Sequence, residues 1–126
     1  MSLCATLAQR AVSRALEHEL TLVTVESCTA GALACALSRA DGASQVLHGG
    51  LVVYTKANKV AAVGVPWELL RTHTAVSGEV ARAMAVGGLG RSPADIAIAI
   101  TGVAGPEPDE DGNPVGLAYV AVALRK

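Results

Sequence analysis

The sequence predicts an α/β fold, a three-layer α/β/α sandwich around a mixed central sheet. Three observations predict it. Extended runs alternate with helical patterns along the chain. One run, Ile96-Ala97-Ile98-Ala99-Ile100, is apolar without interruption, as a strand buried on both faces would be. The spacing between runs is too irregular for a repeated βαβ array.

Each element has a local reason. After Ser2, a good N-cap, Leu3, Leu7, Ala11 and Ala15 recur at helical spacing with Arg10, Arg14 and Glu17 between them. This predicts an amphipathic helix to about Glu19, not a signal peptide. Leu20 to Glu26 alternates around Val23 and Val25, predicting a strand that stops at Ser27-Cys28-Thr29-Ala30-Gly31. Ala30 to Ala40 is Ala- and Leu-rich and reads as helix, and Asp41-Gly42-Ala43-Ser44 is a turn. Val46 to Thr55 is a second strand, interrupted at Gly49-Gly50 by a bulge or a close backbone approach. Lys56 to Val63 is a short helix ended by Gly64-Val65-Pro66, and Pro66 suits the start of another over Trp67 to Arg71. Ser77 caps a helix from Gly78 to about Leu89, with Glu79 in its first turn. Asp95 to Thr101 is a strand, Gly102 to Pro114 a long acidic loop, and Gly116 to Leu124 the last strand.

Composition excludes several function classes. With 126 residues, 52% hydrophobic and 17% charged, the chain is expected to form one domain over residues 1–126, with no linker or disordered tail. A net charge of -1 supplies no basic field for a phosphate backbone, and Trp67, Tyr54 and Tyr119 are too few for stacking single strands, so no nucleic-acid partner is expected. The core must be built from Ala, Val and Leu. Cys4, Cys28 and Cys35 lack CxxC spacing and read as reduced thiols of a cytoplasmic protein. No apolar run reaches a membrane span. His18, His48 and His73 are scattered, which supports neither a zinc site nor a Ser-His-Asp triad. Asp109-Glu110-Asp111-Gly112-Asn113 imitates a calcium loop, but Pro114 stands where its sharp-turn glycine belongs and Val120 where its bidentate glutamate belongs. That segment reads as a solvated loop or lid, and no metal is expected.

Three places hold residues suited to chemistry. Ser27 lies at a strand-to-helix turn, where backbone N–H groups favour anions or oxyanions. It is either a nucleophile or, with Thr29, a helix cap. Tyr54 closes the second strand and Lys59 lies five residues on. A lysine withdrawn from water can serve as general base, and a tyrosine can relay a proton, but a surface lysine and a core-edge tyrosine fit the pattern equally. Thr101-Gly102-Val103-Ala104-Gly105-Pro106 follows the central strand, where open α/β sheets bind ligands; it also reads as a plain turn.

Taken in order, Glu26-Ser27-Cys28-Thr29 ahead of Gly31, Gly49-Gly50-Leu51-Val52-Val53-Tyr54 with Lys59, Ala75-Val76-Ser77-Gly78-Glu79-Val80-Ala81 and Thr101 to Pro106 resemble the CinA C-terminal domain family. The resemblance spans about Leu20 to Leu124. It implies hydrolysis of the carboxamide of nicotinamide mononucleotide to nicotinic acid mononucleotide and ammonia, with no cofactor or metal. It further implies Ser27 as nucleophile, Lys59 as general base and Tyr54 as proton relay or orienting group. Thr101, Gly102 and Gly105 would hold substrate or oxyanion, and Thr29, Gly31 and Gly50 would line the pocket. The chain departs from the family pattern at Ala30, a glycine there, and at Glu107 to Asp111, where the family is glycine-rich. The family also continues past the last strand into an arginine-bearing loop and a helix. The chain is therefore expected to be short at its C-terminus, exposing one sheet face or a groove, so that either a second copy in a homo-oligomer covers it or the domain is marginal. The alternative function is a catalytically silent nucleotide-binding or interaction domain of the same fold.

Overall fold

The architecture is seen in a computed structural model that describes residues 2–125. Four strands form one sheet in the order β2-β1-β3-β4. The strand β1 (Leu22–Glu26) pairs in parallel with β2 (Leu47–Val52) on one side and β3 (Ile96–Gly102) on the other. Antiparallel to β3 runs β4 (Ala118–Leu124), which makes the sheet mixed. Helices α1 (Leu3–Glu17), α2 (Ala32–Ser38) and α3 (Ala43–Val46) cover one face, and α4 (Lys56–Val63), α5 (Trp67–His73) and α6 (Gly78–Gly90) the other.

Local chemistry places the helix starts. Ser2, Thr55 and Ser77 each accept a hydrogen bond from the backbone N–H three residues on, capping α1, α4 and α6. In a chain without Phe, the core is made by close approach. Val23, Val25, Val63, Val80 and Met84 are fully or almost fully buried between β1, α4 and α6. A Cβ on Gly88 would lie 2.6 Å from Val25 Cγ2, and one on Gly87 would run into the Val63 carbonyl. Bare glycines therefore let α6 sit directly on the sheet and on α4.

Three features differ from the sequence reading. The Ala43–Val46 turn of helix stands where a loop and the start of a strand were expected, so the strand begins at Leu47. The register irregularity falls at His48, between the pairs Leu22↔Leu47 and Val23↔Gly49, one residue before the Gly49-Gly50 pair, where the expected close approach is found instead, a Cβ on Gly50 lying 2.5 Å from Thr24 Oγ1. Most consequential, β3 is buried on one face only. Ala97, Ala99 and Thr101 are buried, whereas Ile96, Ile98 and Ile100 are partly exposed because α1 and α2 cover the β1–β2 half of the sheet. Their cross-strand partners Leu124, Val122 and Val120 are 67%, 61% and 64% exposed, leaving an open apolar strip. Among the described residues, no helix is long and apolar enough to cross a membrane, and Cys4, Cys28 and Cys35 are free.

Candidate active site

The carboxyl ends of β1 and β3 open into a cleft of about 310 Å³. Ser27 follows the last residue of β1, and its N–H extends the ladder by donating to the Ile100 carbonyl at 2.9 Å. From the first turn of α4, Lys59 reaches back beneath it and is only 2% exposed. The Lys59 Nζ is 2.9 Å from Ser27 Oγ, 3.1 Å from the Val53 carbonyl and 3.3 Å from the Tyr54 carbonyl. Burial, assisted by the nearby charge of Lys56 and opposed by Cys28, lowers the Lys59 pKa to about 8. A neutral amine has two hydrogens and one lone pair. Here Lys59 Nζ donates to Ser27 Oγ and to the two carbonyls, and the Ser27 hydroxyl reaches the Tyr54 carbonyl at 3.4 Å; on losing a proton the amine would keep its hydrogens for the carbonyls and free a lone pair 2.9 Å from the serine oxygen, the geometry a general base needs.

Tyr54 meets this pair through its backbone. Its carbonyl takes the lysine, while its side chain lies along the cleft 61% exposed, with no hydrogen bond from its hydroxyl among the described residues. Thr101 and Gly102 complete the floor. Thr101 Oγ1 donates to the Ala75 carbonyl at 2.8 Å, fastening the end of β3 to the turn before α6. A Cβ on Gly102 would lie 2.9 Å from the Leu117 carbonyl and 3.1 Å from Cys28 Sγ, so only glycine lets the chain after Ser27 pack there.

Four other expected pocket residues do not line the cleft. Thr29 turns its hydroxyl to Glu26 Oε1, at 2.6 Å. Gly31, at φ 100, is the N-cap of α2, and a Cβ on Gly50 would lie 2.5 Å from Thr24 Oγ1 and 3.3 Å from Ala34 Cβ, so both serve the seating of α2 on the strands. Gly105, at φ 92, packs against Val115 in the long loop.

Glu26 is the residue that sequence reasoning left without a role. Its buried carboxylate accepts from Thr29 Oγ1 and from the backbone N–H groups of Leu33 and Ala34, at 2.9 and 3.0 Å. Burial raises its pKa, but these hydrogen bonds outweigh it and hold the carboxyl below its ordinary value. The α2 amides expected to face an anion in the crevice are thus occupied by an internal carboxylate from β1. The signal was an acid immediately before Ser27 with no side-chain cap available at Gly31.

The rim is acidic and fastened. Lys56 Nζ lies 2.9 Å from Glu110 Oε1 and 2.9 Å from Asp111 Oδ2, and these hydrogen bonds raise its pKa. Asp109 accepts from the Asn113 N–H at 2.7 Å and from Asn113 Nδ2 at 2.8 Å. Asn113 Nδ2 also donates to Thr74 Oγ1 at 3.1 Å, tying the loop to the opposite wall. The expected solvated loop is therefore anchored along one side of the cleft. No cluster among the described residues has the makings of a metal site.

A family model for the CinA C-terminal domain matches residues 4–126. The chain belongs to the CinA C-terminal domain family. A CinA-like protein of Mycolicibacterium gilvum is 48% identical over 104 residues, covering 82% of this chain and 25% of that protein. A CinA-like protein of Prochlorococcus marinus is 47% identical over 103 residues, 82% of this chain and 24% of its own length. The chain thus spans about a quarter of the length of the curated relatives it matches. Among solved structures, the competence/damage inducible protein of Agrobacterium tumefaciens superposes with a TM-score of 0.92 at 41% identity, covering 99% of this chain and 78% of that one. A CinA superfamily protein from Klebsiella pneumoniae gives 0.94 at 36% identity, covering 98% and 78%. These neighbours share the CinA architecture over nearly the whole of the present chain.

Proposed function

We propose that this CinA-family domain is a serine amidohydrolase that deamidates nicotinamide mononucleotide. The observation that carries the reading is the buried Ser27–Lys59 pair, 2.9 Å apart, with a lysine pKa lowered to about 8. In this reading Ser27 Oγ attacks the carboxamide carbon as its proton passes to Lys59. Thr101 and Gly102, which line the cleft beside Ser27 at the end of β3, are assigned to the substrate and its developing oxyanion. The C–N bond then breaks, Lys59 returns the proton to the departing nitrogen, and ammonia leaves an ester on Ser27. Water attacks that ester, giving its proton to Lys59, which restores it to Ser27 as the carboxylic acid is released. Tyr54 orients the lysine through its carbonyl and offers its ring as a wall for the substrate. A homo-oligomer belongs to the same reading, supported by the apolar strip of Ile98, Ile100, Val120 and Val122.

Ammonia release from nicotinamide mononucleotide tests the proposal. The chain should release it, and Ser27→Ala should lose about 10³-fold or more of the rate with its melting temperature kept. Full activity in Ser27→Ala would rule out the serine mechanism. Saturable binding without ammonia from the unmutated chain would identify instead a catalytically silent nucleotide-binding domain.

A further inference from the structure

Ser27 opens a strained turn that is fastened from the other face of the sheet. Between β1 and α2, Ala30 at φ 49 and Gly31 at φ 100 are consecutive left-handed residues. Ala30 carries a Cβ, and a residue with a Cβ keeps that conformation only where its surroundings impose it. The Glu26 carboxylate, 1% exposed, spans the pair. On the near side it accepts from Thr29 Oγ1 at 2.6 Å, and on the far side from the N–H groups of Leu33 and Ala34 at 2.9 and 3.0 Å. Inside the turn the Ser27 carbonyl accepts from the Ala30 N–H at 3.0 Å, so the backbone of the serine is tied to the strained pair. Successive side chains on a strand point to opposite faces. Glu26 therefore reaches α2, while Ser27, the next residue, meets Lys59 of α4 across the sheet.

We propose that Glu26, acting through Thr29 and the first turn of α2, is a positioning residue that sets the Ser27 hydroxyl against Lys59. Released from the carboxylate, the Ala30-Gly31 pair can relax and the backbone from which Ser27 Oγ projects turns with it. Glutamine is a poor replacement, because its amide NH2 would face the N–H of Leu33 or Ala34, a donor against a donor. The inference rests on the reading of Ser27 as an activated nucleophile, but not on the identity of the substrate.

The experiment uses diisopropyl fluorophosphate on the full chain. The bond from Ser27 Oγ to phosphorus forms, the P–F bond breaks, fluoride leaves and the serine proton passes to Lys59. The saturating rate kinact and the half-saturating concentration KI are measured per folded molecule, with the modified residue found by mass spectrometry. Glu26→Gln and Thr29→Val should each lower kinact by about tenfold or more with KI kept, since a small misplacement of a reacting group is costly. Thr29→Ser, which keeps the hydroxyl, should restore most of the rate. The midpoint of the pH dependence, about 8 in the parent chain, should stay in place, because Lys59 is buried from the other face of the sheet. If Glu26→Gln does not fold, Thr29→Val and Thr29→Ser carry the test. Parental kinact in a folded variant, a loss confined to KI, a Thr29→Ser as slow as Thr29→Val, a midpoint moved toward 10.5, or an inert Ser27 in the parent chain would overturn the proposal. Ammonia release from nicotinamide mononucleotide is followed alongside. If the parent chain releases none while the fluorophosphate results hold, the amidase reading fails and the positioning role stands; if it releases ammonia and the variants react at the parental rate, the reverse is true.

Discussion

Lys56 and Lys59 lie three residues apart on α4, one at the rim of the cleft and one at its floor, and their surroundings drive them in opposite directions. Lys59 is shut away from water among a serine hydroxyl and two carbonyls, so its charged form is disfavoured. Lys56 faces two carboxylates at 2.9 Å, so its charged form is favoured. The same side chain on the same helix becomes a candidate base or a fixed cation according to what the loop and strand ends bring to it. The floor holds reactivity, and the rim holds charge.

If the floor is the reactive end, replacing its lysine should have the largest effect. Lys59→Met should lower ammonia release by about 10³-fold or more, while its melting temperature at neutral pH holds or rises, because an apolar chain of similar length removes a buried ammonium. A variant retaining activity would remove the distinction between the two lysines.

Activity against pH refines the same contrast. The rate should rise as Lys59 loses its proton, with an apparent pKa of about 8. The sign for stability follows from linkage. The folded-state pKa is about 8 and the ordinary value 10.5, so between those pH values the unfolded chain binds the additional proton and stability increases with pH. Denaturant titrations across that window should show the slope in the parent chain and its loss in Lys59→Met.

Behind the floor, Glu26→Ala should cost about 2–3 kcal/mol, since it strips a hydroxyl and two half-buried backbone N–H groups of their acceptor. The lowered pKa of Glu26 supplies stability above its unfolded value that is lost as pH falls through the folded one. Urea melts should therefore show a shallower acid loss in Glu26→Gln. The smallest effect belongs to the rim. Lys56→Met should change stability by less than about 1 kcal/mol, because Glu110 is 73% exposed and water replaces much of what the ion pair provides. A larger loss in thermal unfolding would mean that the loop supports the fold as well as bordering the cleft.

Parts of this were readable residue by residue. The helix Lys56–Val63 was expected with its observed bounds from the Gly64-Val65-Pro66 stop; the structure adds Thr55 as the cap at its start and Gly64, at φ 72, at its end. Ser77 as a cap was equally plain. The single turn Ala43–Val46 was not, because four residues cannot display a helical period. Nor was the half-open face of β3, since an Ile-Ala alternation gives no sign of how far a covering helix layer extends. Of the candidate site, Ser27, Tyr54, Lys59, Thr101 and Gly102 meet at one cleft, whereas Thr29, Gly31, Gly50 and Gly105 are occupied with packing and turns. Glycines flag close approach without saying what approaches.

By itself, then, the sequence determined most element types, the caps Ser2 and Ser77, the fold class and the inventory of reactive side chains, because each depends on neighbours a few residues away. Only the tertiary structure decided which of those side chains meet. Ser27 and Lys59 are 32 residues apart in the chain, and Lys56 and Asp111 are 55 apart. Their distances, the burial that neutralises one lysine and the carboxylates that hold the other charged arise from strand order and loop anchoring, and electrostatics depends on separation in space.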